Sequence, residues 1–544
     1  MKKKSFFAFI FILISVLMIT GCNKEEASKK KKGSESDGPV RISVFSQQDA
    51  SRNLETNSFT KFVEKEFNIK FDWQVTTYDA TVAAEARNIS LASGDYPDLF
   101  LLIPWVDQFS QTDLLRYGKQ GVVLPLNDLI RDHAPNIQRL LDEHMYYKAM
   151  STAPDGNIYG LPQLIECYHC SYPNKYWMNT AWLEKLGLEQ PRTVDDLREV
   201  LLAFKNKDPN GNGKADEVPL SGTPERFHDI PLPYLMNGFI YDDAISRLIL
   251  DNGKVDFVAN KEGWKEGLKY IQTLYKEGLI DPGSFTQNAE ALQKLGNNAD
   301  GEILGSGTVM HPGIFVSEPE YQKDYDPVAP LEGPNGSFAV YNYPSSPGGT
   351  FVLTNKASEE VQIAAIKMLD YMFTPEGSTR AHFGEEGKSW KRPEEGDKAI
   401  EEGVEPFLKT IPGVEGEEPR NDSWGAAAQY FHPKEYRDSW VQVEDIYSSE
   451  GYERRLQEAT KLYDGKQPKE VFPHWTVWIE PELADEVAMM ETNIKDYIEQ
   501  NALQFITGAK DIDKEWDSYV KGYDQLNLPR YLEIMQKAYD NLDL

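Results

Sequence analysis

Residues 182–222 read WLEKLGLEQPRTVDDLREVLLAFKNKDPNGNGKADEVPLSG, and this stretch decides the architecture around it. Gly187 ends a short helix, because glycine readily adopts the left-handed conformation that follows a helix. Thr193 and Asp196 match a capping box, so a second helix begins there. Apolar residues then recur at the period of one helix face, and they are Leu197, Val200, Leu201 and Phe204. The stretch predicts two helices followed by a polar loop.

The polar loop carries the first half of a calcium-binding pattern, D-x-[DN]-x-[DN]-G. Its oxygen-bearing side chains are Asp208, Asn210, Asn212, Asp216 and Glu217. Gly213 permits the sharp turn that brings alternate side chains toward one centre. Position 12 of the pattern is Pro219 instead of Glu, so the loop departs from a calcium-sensing helix–loop–helix unit, and Glu217 can supply the missing carboxylate. A polar Asn-Gly turn without metal is the alternative.

Upstream of this stretch, strand and helix patterns alternate. Residues 40–45 and 69–75 alternate apolar and polar side chains, which predicts two strands, and a helical pattern lies between them. Residues 99–102 are all apolar and predict a buried strand. Strands that alternate with helices favour an α/β sheet.

Composition limits the classes of protein to which the chain can belong. The chain has 544 residues, of which 40% are hydrophobic, so it can bury a large core and form more than one lobe. It carries 57 Lys+Arg against 87 Asp+Glu, a net charge of −30. Nucleic-acid binding needs a basic surface, so that function is excluded.

Residues 1–21 predict a signal peptide, with a basic start and an apolar run from Phe6 to Ile19 that is too short to span a bilayer. The sequence Ile19-Thr-Gly-Cys22 resembles the lipobox of bacterial lipoproteins, in which the signal is cut before the cysteine and the thiol is lipidated. An ordinary signal peptide with an accidental cysteine is the alternative. Residues 22–39 then predict a flexible tether, since residues 23–39 contain no large apolar side chain.

Cys167 and Cys170 form the sequence C-Y-H-C, with His169 between them. A CxxC pair can be a redox site or half of a metal site. No second CxxC is present to complete a zinc site, and no thioredoxin-like pattern follows. Two partly buried thiols or a local disulfide are the simpler interpretations.

Several motifs occur in an order that resembles bacterial extracellular solute-binding proteins of ABC importers. The resemblance is to the large oligosaccharide-binding group, which includes maltodextrin- and alginate-oligosaccharide-binding proteins, and it covers most of residues 40–544. Besides residues 182–222, the motifs are SGDYPDLF at 93–100, GVVLPLNDLI at 121–130, GNIYGLP at 156–162, TPEG at 374–377, FGEEG at 383–387 and FITGAKDIDKEWDSYV at 505–520.

The resemblance implies a two-lobed periplasmic-binding-protein-like α/β fold with a ligand cleft between discontinuous lobes. The first lobe is expected to use residues 40–160 and about 345–390, and the second 165–340 and about 425–544. Closure around the ligand is expected to be a hinge motion. The implied protein is a monomer, lipid-anchored at the extracytoplasmic face of the cell membrane, that delivers an oligosaccharide to membrane permease subunits.

The alginate-binding relatives imply a structural Ca²⁺ in the polar loop. On that resemblance the expected ligands are the side chains of Asp208, Asn210, Asn212, Asp216 and Glu217 and the backbone carbonyl of Lys214. Hard oxygen ligands select Ca²⁺ over zinc or copper.

Aromatic rings in loops are the candidates for stacking on sugar faces. Trp424 is the first choice, because polar residues and a glycine surround it. The other candidates are Trp105, Tyr168, Trp177, Tyr343 and Trp390. For each of them ordinary packing is the alternative.

Two other classes compete with an importer's binding protein. A surface enzyme that degrades polysaccharide would need two carboxylates across one sugar, and 87 acidic residues leave such a pair open. No GxSxG or HExxH motif is present. A surface sensor or adhesin that takes no part in transport is the other alternative. We predict a binding protein and not an enzyme.

Overall fold

The computed structural model describes residues 38–226, 228–298, 301–413, 417–448 and 451–542. The predicted signal peptide, Cys22 and all but the end of the tether lie outside these residues. Within the described ranges, no helix is both long and apolar enough to cross a membrane.

The strands of the described chain are short, and several have only two residues. They are β1 (Val40–Gln47), β2 (Ile69–Thr76), β3 (Leu99–Leu101), β4 (Leu164–Ile165), β5 (Lys175–Asn179), β6 (Leu248–Asp251), β7 (Lys254–Phe257), β8 (Ser306–Val309), β9 (Tyr325–Val328), β10 (Phe351–Leu353), β11 (Trp390–Lys391), β12 (Lys409–Thr410) and β13 (Phe431–His432).

Helices make up more of the described chain than strands do. They are α1 (Ser58–Glu66), α2 (Ala80–Ser93), α3 (Gln111–Lys119), α4 (Asn127–His133), α5 (Pro135–Glu143), α6 (Met145–Ser151), α7 (Thr180–Leu186), α8 (Val194–Asn206), α9 (Pro231–Met236), α10 (Glu262–Lys276), α11 (Ala289–Gly296), α12 (Pro319–Gln322), α13 (Glu359–Met372), α14 (Pro375–Phe383), α15 (Lys434–Asp438), α16 (Tyr452–Lys461), α17 (Pro481–Thr507), α18 (Ile512–Gln525) and α19 (Leu528–Asp540). Short 3₁₀ turns cover Tyr168–Ser171, Val258–Asn260, Pro282–Phe285, Pro312–Ile314 and Gly425–Ala428.

Local signals in residues 182–222 set the helices there as predicted. Gly187 has φ +66° and ends α7. Thr193 and Asp196 form the reciprocal capping box of α8, with each side chain bonded to the other residue's backbone N–H. The apolar face of α8 is buried, so tertiary packing follows the pattern that the sequence predicts.

Two sheets organise the fold. The first has the strand order β10-β3-β1-β2, in which β1 pairs in parallel with β2 and β3, while β10 is antiparallel to β3. The second has the order β8-β5-β9, and both outer strands run antiparallel to β5. The predicted mixed α/β class is confirmed.

Each sheet lies in its own hydrophobic core. The first core takes buried residues from Ile42 to Leu164 and again from Tyr343 to Trp475. The second takes them from Tyr172 to Ala339 and again from Tyr463 to Met535. Ala427, Ala428 and Tyr430 belong to the first core, although the sequence-based boundary near residue 425 assigns them to the second lobe.

Aromatic rings join the segments that run between the two cores. Tyr343 stacks on Trp475 with ring centroids 5.9 Å apart, and Tyr341 contacts the same tryptophan edge-on. Tyr172 in turn contacts Tyr341 at 5.5 Å. These rings come from three separate segments, so their contacts join the two cores.

Candidate ligand cleft and calcium loop

A polar cluster lies where the two cores meet, and its centre is Glu453 in α16. Glu453 Oε2 accepts a hydrogen bond from Arg437 Nη2 at 2.6 Å and lies 3.5 Å from His169 Nδ1. Burial by itself raises the pKa of Glu453, but nearby positive groups, of which Arg437 is the strongest, together lower that pKa below its ordinary value. Burial lowers the pKa of His169 to about 3. The centre is therefore an ion pair beside a neutral imidazole.

The second-lobe wall of the cluster is built around Tyr452. Its ring contacts the rings of His311 and His169 edge-on, at centroid distances of 5.1 and 6.0 Å. Tyr452 is 36% exposed. Burial lowers the pKa of His311 to about 4, against the opposing charge of nearby Asp229. This wall presents one open ring held in place by two uncharged imidazoles.

The first-lobe wall presents two exposed rings. Trp105 is 53% exposed and its Nε1 donates to Tyr78 Oη at 3.0 Å, while Tyr78 is 38% exposed. Next to them, Arg52 Nη1 donates to Asp49 Oδ2 at 2.7 Å. The Arg52 guanidinium covers Gly425, where a Cβ atom would come within 2.8 Å of it. Gly425 therefore leaves room for this ion pair.

His382 connects the two walls. Burial lowers its pKa to about 3, and Arg437, Arg52 and Glu453 all lie near enough to contribute to that pKa. His382 Nε2 is 2.7 Å from the Gln429 side-chain nitrogen. His382 therefore lies within electrostatic range both of Arg52 in the first-lobe wall and of the Arg437–Glu453 ion pair.

Topology explains why the first-lobe wall forms here. Arg52 follows β1, Tyr78 follows β2 and Trp105 follows β3, so all three lie beyond the carboxyl ends of parallel strands. Ligands of open α/β sheets bind at that edge, because the loops converge there. Exposed aromatic faces with paired charges beside them can stack on a sugar ring and bond its hydroxyls.

The calcium-type loop begins directly after α8 and turns sharply. Asp208 Oδ1 and Oδ2 accept the N–H groups of Gly211 and Gly213 at 3.0 and 3.2 Å. Asn212 Oδ1 accepts Lys214 N–H at 2.7 Å. Gly213 has φ +73°, the left-handed conformation that the pattern requires of this position.

The acidic groups of this loop repel one another. Burial raises the pKa of Glu217, and the neighbouring charges of Asp208 and Asp216 raise it further. Glu217 Oε1 is buried and has no hydrogen-bond partner among the described residues. Asp216 Oδ1 accepts the side-chain amides of Asn210 and Asn212, each at 3.2 Å. A divalent cation at the centre would satisfy the orphaned oxygen and relieve the repulsion, so the donors fit Ca²⁺.

The sequence from residue 52 to residue 379 matches the family model described as bacterial extracellular solute-binding protein. The chain belongs to this family. It is 32% identical over 490 residues to the fructooligosaccharide ABC transporter substrate-binding protein FusA of Streptococcus pneumoniae, covering 88% of this chain and 86% of FusA. It is also 25% identical over 445 residues to lipoprotein LipO of Bacillus subtilis, covering 76% and 81% of the two chains.

Solved structures agree with the family assignment. FusA in complex with kestose matches this solute-binding protein with a TM-score of 0.67 and 28% identity, over 92% of this chain and 99% of that one. An extracellular solute-binding protein from Bifidobacterium longum subsp. infantis matches with a TM-score of 0.78 and 21% identity, over 94% and 100%. The predicted family and two-lobed fold are confirmed, and FusA is by name the substrate-binding protein of an ABC transporter.

The predicted stacking residues of this solute-binding protein differ in exposure and in surroundings. Trp105 lies exposed in the cleft wall. Tyr168 is half-buried, with Lys434 Nζ 5.4 Å from its ring centroid. Tyr343 is buried at the boundary and donates to Glu166 Oε1 at 2.8 Å. Trp390 is buried in a small separate cluster, where its Nε1 donates to Gly384 O.

In the structure Trp177 and Trp424 are ordinary packing residues. Trp177 lies in the central strand β5, fully buried, with Nε1 donating to Val309 O at 3.1 Å. Trp424 is 2% exposed. Its polar neighbours fasten the loop to the first lobe: Asn421 Oδ1 accepts Asn53 N–H, and Ser423 O accepts Asn57 Nδ2. With no exposed ring face, both tryptophans are removed from the candidate ligand site.

Sequence reasoning missed Tyr78, Arg52, His311 and Tyr452. The sequence did contain a signal for Arg52 and Tyr78, because each lies within five residues of the end of a parallel strand. His311 and Tyr452 had no such signal, since only the tertiary fold brings their segments together.

A separate cavity lies away from this cleft. It measures 920 Å³ and lies entirely within the second lobe, beside α17. Its lining is mainly aliphatic and includes Ile230, Ile245, Ile494, Ile498 and Leu503. Phe285, Phe472 and Tyr531 also line it, and none of its lining residues belongs to the first-lobe wall, so it is a separate cavity.

Proposed function

We propose that this solute-binding protein captures an oligosaccharide in the cleft between its lobes and delivers it to the permease of an ABC importer. The observation that carries the proposal is the pair of exposed rings, Trp105 and Tyr78, at the carboxyl edge of the parallel sheet. Overall identity to FusA supports the same function. A neutral fructooligosaccharide is the ligand class we favour, since the cleft's charges are largely paired.

Trp105→Ala is expected to weaken oligosaccharide binding by about 10- to 100-fold, the usual loss when a well-placed aromatic anchor is truncated. The measurement is isothermal titration calorimetry with kestose, nystose and a panel of maltose- and mannose-based oligosaccharides. Ile89→Ala is the control, because Ile89 is exposed on α2 of the same lobe and belongs to no part of the cleft.

Equal affinities for wild type and Trp105→Ala would remove this ring from the site. Absence of binding to every sugar tested would contradict the proposed function. Release of reducing ends from a polysaccharide would favour a surface enzyme instead, and whole-cell attachment without small-ligand binding would favour an adhesin.

We also propose that residues 208–217 hold a structural Ca²⁺ through the donors Asp208, Asn210, Asn212, Lys214 O, Asp216 and Glu217. The unpartnered Glu217 Oε1 supports it. The description of one FusA structure as an EF-hand mutant supports a calcium-type loop in that relative. The ion would neutralise the loop's carboxylates and pin the loop to the second lobe.

Chelation is expected to lower the melting temperature of wild type and leave Asp208→Ala unchanged. Calcium at 100 times its dissociation constant stabilises a folded protein by about 2.7 kcal/mol, which sets the scale of the loss. Differential scanning calorimetry with calcium and with chelator measures it. Asp128→Ala, an aspartate exposed on α4, should keep the full chelator effect. Identical melting curves for metal-stripped wild type in both buffers would contradict the site.

We further propose that lipid on Cys22 anchors the protein at the extracytoplasmic face of the membrane and that residues 23–39 act as the tether. Cys22→Ala is expected to abolish incorporation of labelled fatty acid and to release the protein from the membrane fraction. Equal labelling of wild type and variant would contradict the anchor. The similarity of this chain to lipoprotein LipO supports a lipid anchor.

For the lobes, we propose 40–160 plus about 345–440 and 165–340 plus about 452–544. The burial of Tyr430 in the first core and of Leu456 against the second sheet supports the later boundary. Hinge closure about the aromatic boundary would bring Tyr452 toward Trp105.

A further inference from the structure

The segment between β4 and β5 contains a disulfide between Cys167 and Cys170, with His169 inside the loop that it closes. The two sulfur atoms and a ring nitrogen of His169 all lie within 4.8 Å of one another. Cys167 and His169 are buried, and Cys170 is half-buried. We propose that the reduced form of this loop is a binding site for a thiophilic metal ion such as Zn²⁺.

The donor spacing suits a tetrahedral ion. Metal–sulfur bonds of about 2.3 Å and metal–nitrogen bonds of about 2.0 Å place neighbouring donors roughly 3.5 to 3.8 Å apart. Cys167 Sγ already lies 3.2 Å from His169 Nε2. Reduction lets the sulfur atoms move apart, and the half-buried position of Cys170 leaves a path for the ion to enter. Three donors leave one coordination position open.

Glu453 orients the imidazole for this role. Its Oε2 lies 3.5 Å from His169 Nδ1, on the opposite side of the ring from Cys167. A proton on Nδ1 that faces this carboxylate leaves the lone pair of Nε2 directed at the sulfur atoms. A carboxylate on the second ring nitrogen is the usual companion of a metal-binding histidine. Arg437 holds Glu453 in that position through a 2.6 Å hydrogen bond.

The loop is held in place without the disulfide. Lys175 Nζ donates to His169 O at 2.7 Å and to Tyr172 O at 2.5 Å. At the other end, Glu166 accepts hydrogen bonds from Tyr343 Oη and Lys434 N. These contacts keep Cys167, His169 and Cys170 together after reduction, so the site is expected to be preorganised in the dithiol form.

Reduction of the disulfide is a balanced reaction when a small dithiol or a phosphine is the reductant. Two electrons and two protons convert the Cys167–Cys170 disulfide into two thiols, and the reductant becomes a disulfide or a phosphine oxide. A divalent ion then displaces both thiol protons, so two protons are released for each ion bound. The disulfide form cannot bind the ion in this way, because its sulfur atoms carry no thiolate charge.

The test is a Co²⁺ titration of the full-length protein before and after reduction with a phosphine under argon. Reduced wild type is expected to bind one Co²⁺ with release of two protons and with thiolate-to-metal absorption in the near ultraviolet, and Zn²⁺ should remove that absorption by displacing Co²⁺ without further proton release. Oxygen donors such as those of the calcium loop do not give this band. Glu453→Gln should weaken the affinity by about 10- to 100-fold.

Cys170→Ser should abolish the band, while His133→Ala, a partly exposed histidine on α4, should keep it. Circular dichroism of the reduced protein accompanies the titration. No band in reduced wild type, or an equal band in Cys170→Ser, would overturn the site. Loss of the native dichroism on reduction would also overturn it, since the proposal requires a folded dithiol form.

Discussion

Trp424→Ala is expected to lower the free energy of unfolding by about 3 to 5 kcal/mol, the cost of deleting a large aromatic side chain from a packed core. The indole makes edge-to-face contacts with Phe59, Phe71 and Trp73 at centroid distances of 4.9 to 5.7 Å. Its Nε1 donates to Thr60 Oγ1 at 2.8 Å, so the substitution also leaves that hydroxyl without a donor. Urea denaturation followed by fluorescence and circular dichroism measures the loss.

Trp105→Ala is the matched control, because it removes the same side chain from an exposed position. It is expected to change the free energy of unfolding by less than about 0.5 kcal/mol. The two variants therefore separate packing from ligand contact: one loses stability and the other loses affinity. Stability losses of equal size in both would contradict this division.

Acidification from pH 6.5 to pH 4.5 is expected to cost several kcal/mol of stability. The first lobe buries His382 and His432 with their ring centroids 4.8 Å apart. Burial lowers the pKa of His432 well below its ordinary value, and that of His382 to about 3. Neither ring nitrogen of His432 has a hydrogen-bond partner among the described residues. His311, whose pKa is about 4, behaves in the same way.

The sign follows from proton binding. Below pH 6.5 the unfolded chain protonates these histidines, while the folded chain keeps them neutral until the pH approaches their lowered pKa values. The stability is therefore complete above pH 6.5 and is lost as the pH falls. Each such histidine contributes about 1.4 kcal/mol per pH unit. Glu302 opposes the effect of one of these histidines. Burial raises the pKa of Glu302 to about 7, so on acidification the folded state binds a proton on Glu302 before the unfolded state does.

Urea denaturation at half-unit intervals from pH 7 to pH 4.5 measures this dependence. His432→Phe fills a similar volume among Phe383, Tyr436 and Trp440, and it should reduce the pH slope by about 1.4 kcal/mol per unit. His133→Phe changes a partly exposed histidine and serves as the comparison. A slope that His432→Phe leaves unchanged would mean that the acid loss arises elsewhere.

Structural features that depend on near neighbours in the chain could be predicted from the sequence. The capping box at Thr193, the glycine at residue 187 and the period of the α8 face depend on neighbours within one or two turns. The polar loop at 208–217 is equally local, because its side chains bond the backbone two to five residues away. Motif order along the chain was sufficient for the family, which the matches confirm.

Contacts between distant segments were decided only by the tertiary structure. Trp424 looked like a ligand residue because its neighbours are polar, yet those neighbours bond residues more than 360 positions away and close the loop over the first core. Tyr452 meets His311 and His169 for the same reason. Whether an aromatic ring is buried or open depends on which surface covers it. When the covering surface comes from a remote segment, the residues next to the ring in the sequence do not indicate it. The sequence by itself therefore determined the family, the helices and the polar loop. Only the tertiary structure decided which aromatic rings lie open in the cleft.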